Sequence, residues 1–164
     1  AMATKLFLDR GYRKIEMISY SLGISSLEER ESGYRKAMSE QGLEQDVKVH
    51  YTSYANAAQD VPGIIRDAVS RGVEAMFLPT YSLSALVLMT MRDLGLRTPE
   101  DMAVMGFDNL TSYKYIEGGI TTIANPYEDM LSVAVNILTK RTKNPQMSQQ
   151  QIALRPNLVV RHTT

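Results

Sequence analysis

Asp108 is the residue best placed for chemistry in this 164-residue chain. It closes the run Thr98–Asn109, where a proline-bearing loop launches an apolar stretch over Met102–Met105. A glycine follows, then Phe107, an aromatic of exposed type, and then the acid. In an open parallel sheet, side chains just past the carboxyl ends of strands line the ligand crevice. An alternative is that Asp108 only caps the next turn, as aspartates often do. The other strand ends bring Tyr20 to Ser26 with Arg30, then Tyr51 to Asn56 with Tyr54, then Pro79, Thr80 and Tyr81, and finally Asn109 beside Asp108. One arginine, one aspartate, hydroxyls, an amide and several tyrosines suit a polyhydroxylated or otherwise polar small molecule. Arg and Asp make charge-assisted hydrogen bonds, and Tyr offers a flat apolar wall with a polar tip.

The same set suits catalysis poorly. The chain has no cysteine and only two histidines, His50 and His162. His50 falls inside a strand pattern, and Asp108 has no second carboxylate beside it. No Gly-x-Ser-x-Gly elbow, Walker loop or Gly-x-Gly-x-x-Gly fingerprint occurs. Asp60, Asp67 and Glu74 read as solvated helix or turn residues. The expectation is a binding protein rather than an enzyme, with no cofactor and no metal site.

Composition sets further bounds. Apolar residues make up 44% and charged residues 22%, which is ordinary for a globular domain with a real core. The formal net charge is zero, so nothing in this segment advertises a grip on nucleic-acid phosphates. The lack of cysteine fits a reducing compartment. No stretch approaches the roughly 20 apolar residues of a membrane helix, and the first residues lack a signal-peptide pattern.

These residues need a scaffold, and the periodicity supplies one. Helical patterns run from 3 to 10, 27 to 41, 57 to 70 and 82 to 94, with a glycine one or two residues past each, at 11, 42, 72 and 95. Ser25 or Ser26 is expected to cap the second. Strand patterns lie between them at 14–19, 47–51, 74–78 and 102–105. Alternating strands and helices with short connections predict an α/β fold: an open parallel sheet between two helical layers, α-β-α. After Asn109 the rhythm changes. A helical turn at 113–116, a Gly118-Gly119 break and a strand at 120–123 precede a helix to about Thr142, with Asn125 as its cap and Pro126 as its first residue. Short strands at 152–154 and 158–161 close the chain.

The helix at 82–94 is apolar on two faces. Leu83, Leu86, Val87 and Leu94 form one; Ala85, Leu88 and Met89 form the other, which predicts burial against a second subunit. The helix after Asn125 carries a stripe of Met130, Val133, Ala134, Ile137 and Leu138, which also needs a cover.

Five blocks in series resemble the lac-repressor/galactose-repressor family of bacterial transcriptional regulators. Leu6–Ile18 is similar to the family's Leu-x-x-x-Gly-His-Arg-Lys/Arg-Ile segment. Arg30–Tyr34 matches Arg-x-x-Gly-Tyr, and Gly95–Asn109 matches Gly-x-x-x-Pro-x-Asp-x-x-Val-x-Gly-Phe-Asp. Thr121–Pro126 matches Thr-Thr-x-x-x-Pro, and Leu154–Arg161 matches Leu-x-Pro-x-Leu-Val-x-Arg.

The resemblance implies a two-lobed sensor like a type I periplasmic sugar-binding protein, here one lobe plus a crossing segment. Residues 1–12 would end a helix from the first lobe, and 13–120 would be the second lobe. Residues 121–148 would cross back to the first lobe, and 149–164 would return as strands. A helix-turn-helix domain that reads operator DNA, and most of the first lobe, would lie outside this segment. Arg30 and Asp108 fall on the family's effector-binding Arg and Asp, and Tyr127 falls near an aromatic that closes over the effector. The family's usual Asn-Asp after the third strand is Thr80-Tyr81 here, which departs from simple monosaccharide recognition. The implied protein is a cytoplasmic, homodimeric regulator, likened most to a repressor, that binds a sugar-like effector. The alternative is a transport-type sugar-binding protein of the same fold.

Overall fold

Strand residues alternate between two apolar sets, and each set faces its own helical layer. The computed structural model describes residues 1–115 and 118–164. Its sheet has six strands in the order β2-β1-β3-β4-β5-β6. They are β1 Ile15–Tyr20, β2 Lys48–Thr52, β3 Ala75–Phe77, β4 Ala103–Phe107, β5 Thr121–Ala124 and β6 Asn157–Val159. The first five run parallel, and β6 pairs antiparallel with β5. The helices are α1 Met2–Asp9, α2 Ser25–Ser39, α3 Ala57–Ser70, α4 Tyr81–Asp93 and α5 Tyr127–Lys143. Short 3₁₀ turns occupy Glu44–Asp46 and Thr111–Tyr115.

One face of the sheet joins Ile15, Met17, Phe77, Met105 and Phe107 to α1 and α2 through Phe7, Leu8, Tyr34 and Met38. The other joins Ile18, Tyr20, Met76, Leu78 and Val104 to α3 and α4 through Val61, Ile65, Leu83, Val87, Leu88 and Met91. Helices cover both faces of the sheet, so β1 and β4 are buried throughout; β4 accordingly reads as an apolar run, whereas β1 also buries Glu16 and Ser19. Gly72 and Gly95, at φ 72° and 71°, stop α3 and α4 in a left-handed conformation that a side chain would disfavour. α1 buries Ala3, Thr4, Phe7 and Leu8 in this packing.

Several expectations need correction. Ser25 and Ser26 do not cap α2: Ser25 is its first residue, Ile24 holds the N-cap position, and the Ile24 carbonyl accepts from Leu27 N–H at 2.9 Å. Asn125 does not cap α5. Pro126 takes that position, and the Asn125 amide is drawn to Asp108 instead. Residues 152–154 form no strand, because no strand lies alongside to pair with them, and β6 starts at Asn157. α4 starts one residue earlier than the pattern at 82–94, at Tyr81, and Thr80 caps it by accepting from Leu83 N–H at 3.3 Å. The helical turn read at 113–116 is seen as far as Tyr115, and Ile116 lies outside the described residues.

The structure takes Leu88 out of the second apolar face read on α4. Leu88 is 2% exposed within the chain's own core, one turn from Ser84 and Met91 on the inward side. It is unavailable to a subunit interface. Ala85 is half-buried and Met89 is 54% exposed. α5 shows the opposite behaviour: none of its residues is buried. Its stripe instead borders a groove of about 330 Å³ with Ile152 and Leu154.

Candidate functional site at the carboxyl edge of the sheet

Strand order reverses direction around β1: β2 lies to one side of it and β3 to the other. A crevice opens outside the carboxyl ends at such a switch point. The residues that close β1, β3 and β4 therefore define the site.

β4 ends on Phe107, and Asp108 then turns into the left-handed region at φ 68°. Four hydrogen bonds hold it there. Its N–H donates to Ile123 O at 2.8 Å, and its carbonyl accepts from the Thr122 hydroxyl at 2.7 Å. Its Oδ1 accepts from Tyr127 Oη at 2.6 Å and from Asn125 Nδ2 at 3.0 Å.

Arg30 reaches the same place from α2. Its guanidinium carbon lies 3.5 Å from the centre of the Phe107 ring, a cation–π contact. One terminal nitrogen donates to Pro79 O at 2.6 Å, tying α2 to the end of β3. Burial lowers the Arg30 pKa from its usual value, and the Asp108 and Tyr127 charges work against that shift. Phe107 is not the exposed aromatic the sequence suggested. It is 8% exposed because Arg30 and the α1–α2 layer cover it.

Past β1, Tyr20 is buried and its hydroxyl shares a hydrogen bond with Ser82 Oγ at 2.9 Å. Burial raises its pKa. Its ring stacks on Tyr54, centroids 4.0 Å apart and planes 19° apart. Thr80 Oγ1 meets Ser82 Oγ at 3.3 Å. Tyr81 turns its ring onto Tyr113, with centroids 5.6 Å apart. Tyr113 is fully buried, with its pKa pushed up to about 12 by burial.

A continuous rim thus runs Tyr54–Tyr20–Ser82–Thr80–Pro79–Arg30–Phe107–Asp108–Tyr127. Its contacts link Arg30, Asp108, Thr80, Tyr54 and Tyr127, and Tyr81 stacks on Tyr113, whose hydroxyl donates to Phe107 O at 3.2 Å. A cavity of about 200 Å³ adjoins it, lined by Arg30, Phe107, Phe77 and Pro156 among others. A wider groove of about 800 Å³ follows α2 toward Tyr51 and touches the rim at Tyr20. Ser82 and Asn125 were missed as site residues. Ser82 was read only as a helix start, and Asn125 had the signature of a helix cap.

His50 stands apart. Its Nε2 lies 2.6 Å from Glu16 Oε2, and Arg71 also donates to that carboxylate, 2.9 Å from Nη2 to Oε2. Glu16 is 4% exposed. Burial by itself would raise its pKa, but the bonds from Arg71 and His50 outweigh burial and hold it at about 2. Glu74, expected to be solvated, accepts from the Arg13 and Lys14 N–H groups, Asp60 accepts from Thr52, and Asp67 from Arg71. Among the described residues, no three His, Asp or Glu side chains converge on a metal position. No helix among them is long and apolar enough to cross a membrane.

The profile of the periplasmic binding protein-like domain matches residues 4–164. The chain belongs to this family. Its relatives agree with the lac-repressor/galactose-repressor resemblance of the motif blocks. The ribose operon repressor of Haemophilus influenzae is 29% identical over 99% of the chain and 49% of its own length. The HTH-type transcriptional repressor PurR of Vibrio vulnificus is 28% identical over 99% and 49%. The chain therefore spans about half the length of the curated relatives it matches. Among solved structures, the transcriptional regulator CelR in complex with cellobiose superposes with a TM-score of 0.82 at 26% identity, covering 98% of this chain and 50% of that one. This family member has the α/β fold with a mostly parallel sheet that the alternating pattern predicts, and the periplasmic-binding-protein-like domain that the motif resemblance implies.

Proposed function

We propose that this chain is the effector-sensing half of a bacterial transcriptional repressor. It binds a small, polar, sugar-like ligand on the Arg30–Asp108 rim. A helix-turn-helix domain elsewhere in the polypeptide binds operator DNA, and the ligand controls it by biasing two pre-existing arrangements of the sensor. The observation that carries the reading is the Arg30 guanidinium set over the Phe107 ring, with the Asp108 carboxylate near enough to work electrostatically on it. A fixed donor fork and a fixed acceptor are what recognition of a polyol needs. The relatives' names, with ribose and cellobiose among them, support the ligand class.

The rim is a binding surface rather than an active site. Among the described residues, Asp108 is the one carboxylate on the rim, and the rim hydroxyls bond to one another and to Asp108 rather than to a histidine. The regulator works in the cytoplasm as a homodimer. Ala85 and Met89 on the outward side of α4 lie in its interface, and Leu88 does not.

Titration calorimetry with ribose and with cellobiose tests the reading. One of them binds the wild-type chain, and Arg30→Ala or Asp108→Ala abolishes the heat. Binding that survives both substitutions unchanged would place the ligand elsewhere.

A further inference from the structure

Asp108 sits in the left-handed region at φ 68°, which aspartate tolerates better than most L-residues, and its surroundings hold it there. All four hydrogen bonds that do so come from one short segment, residues 122–127. Two of them act on the carboxylate oxygen Oδ1, from Asn125 and Tyr127, and a 3.3 Å contact joins Asn125 Nδ2 to Tyr127 Oη. Tyr127 is also the first residue of α5. That helix has no buried residue, and the Tyr127–Asp108 hydrogen bond ties its first residue to the end of β4.

We infer that Asn125 and Tyr127 are positioning residues for the Asp108 carboxylate, and that this contact couples the ligand site to the placement of α5. The coupling to ligand rests on the reading of Asp108 as the ligand-binding carboxylate. A hydroxyl that engages Asp108 competes with, or tightens, the bond that anchors α5. Movement of α5 in turn swings the carboxylate. The two events share one oxygen atom, Oδ1, and are linked reciprocally.

Hydrogen exchange on the ligand-free chain tests the anchor. The amides of residues 131–134 donate to carbonyls of the first turn of α5, so they report whether that turn is held. Tyr127→Phe raises their exchange by roughly three- to tenfold, the effect of losing one or two hydrogen bonds, while the amides of β1, β3 and β4 stay as in the wild type. Asp108→Ala does the same. Asp108→Asn, which keeps an acceptor oxygen, restores most of the protection. The double variant Tyr127→Phe/Asp108→Ala exchanges no faster than Asp108→Ala alone. Unchanged exchange in Tyr127→Phe overturns the inference, and so do additive effects. Tyr127 is 53% exposed, so Tyr127→Phe keeps the fold and remains decisive if Asp108→Ala does not fold.

Cellobiose is the probe for the ligand side. If it binds the wild type, Tyr127→Phe alters its affinity at least threefold, and equal affinity overturns the coupling. If neither cellobiose nor ribose binds, the sugar-sensor reading fails, and the exchange experiment still decides the anchor.

Discussion

Arg30 lies over Phe107, 3.5 Å from guanidinium carbon to ring centre, so α2 and β4 meet through a cation on an aromatic face. The arrangement sets the direction of the guanidinium before any ligand arrives. Preorganised donors of this kind lose little entropy on binding.

The contact should be measurable as a coupling energy. Phe107→Leu keeps an apolar side chain but removes the ring. Arg30→Ala should then destabilise the chain less in the Phe107→Leu background than in the wild type, with a difference of about 0.5–1 kcal/mol. Urea titrations of the four proteins provide the cycle. Equal costs in both backgrounds would show that the ring merely lies nearby.

Glu16 makes stability depend on acid. Its folded pKa of about 2 lies below its ordinary value of 4.5. Its contribution is therefore complete above pH 4.5 and is lost as pH falls from 4.5 toward 2. At pH 7, Glu16→Gln should cost about 2–3 kcal/mol, because the carboxylate is buried but its partner Arg71 is partly screened by solvent. The gap between wild type and variant, followed by urea unfolding, should shrink steadily below pH 4.5. A gap that stays constant down to pH 2.5 would contradict the ion-pair account.

The two neighbours Leu88 and Met89 should behave differently on substitution by glutamate. Leu88→Glu places a charge in the core and should cost more than about 3 kcal/mol, so the chain unfolds or nearly does. Met89→Glu should leave the melting temperature within a few degrees and convert a dimer to monomers in analytical ultracentrifugation. A folded Leu88→Glu variant, or a Met89→Glu variant that stays dimeric, would revise the α4 assignment.

Gly106 allows α4 to approach β4. A Cβ there would stand 2.7 Å from Ser84 Oγ and 3.3 Å from the Tyr113 hydroxyl oxygen. Ser84 is fully buried and its hydroxyl donates to Thr80 O at 2.8 Å, so it has little room to yield. Gly106→Ala should lower stability by about 1–3 kcal/mol in a thermal melt. A neutral substitution would mean that α4 shifts freely.

Much of the architecture is a local property and was legible in the chain. Period-2 apolar runs separated by glycine-terminated helices predict β1 to β4 and α1 to α4 in order, because alternation and helix stops act over a few residues. The motif blocks single out Arg30 and Asp108 as candidates, and Tyr127 just past a third block, because each block carries its own spacing. Partner choice is different. Glu16 finds His50 and Arg71 across 34 and 55 residues, and only the register of β1 on β2 and the packing of α3 bring them together. The Asn125-Pro126 pair has the composition of a helix start. Yet the Asn125 amide goes to Asp108, since β5 lies beside β4 and puts the carboxylate within reach. Leu88 and Met89 differ by one step along α4, and a helical rotation of about 100° sends one into the core and the other to solvent. Sequence by itself determined which residues form strands, helices and stops. Tertiary structure decided which polar atoms meet and which apolar faces are used up inside the chain, because those outcomes depend on distances that no local pattern encodes.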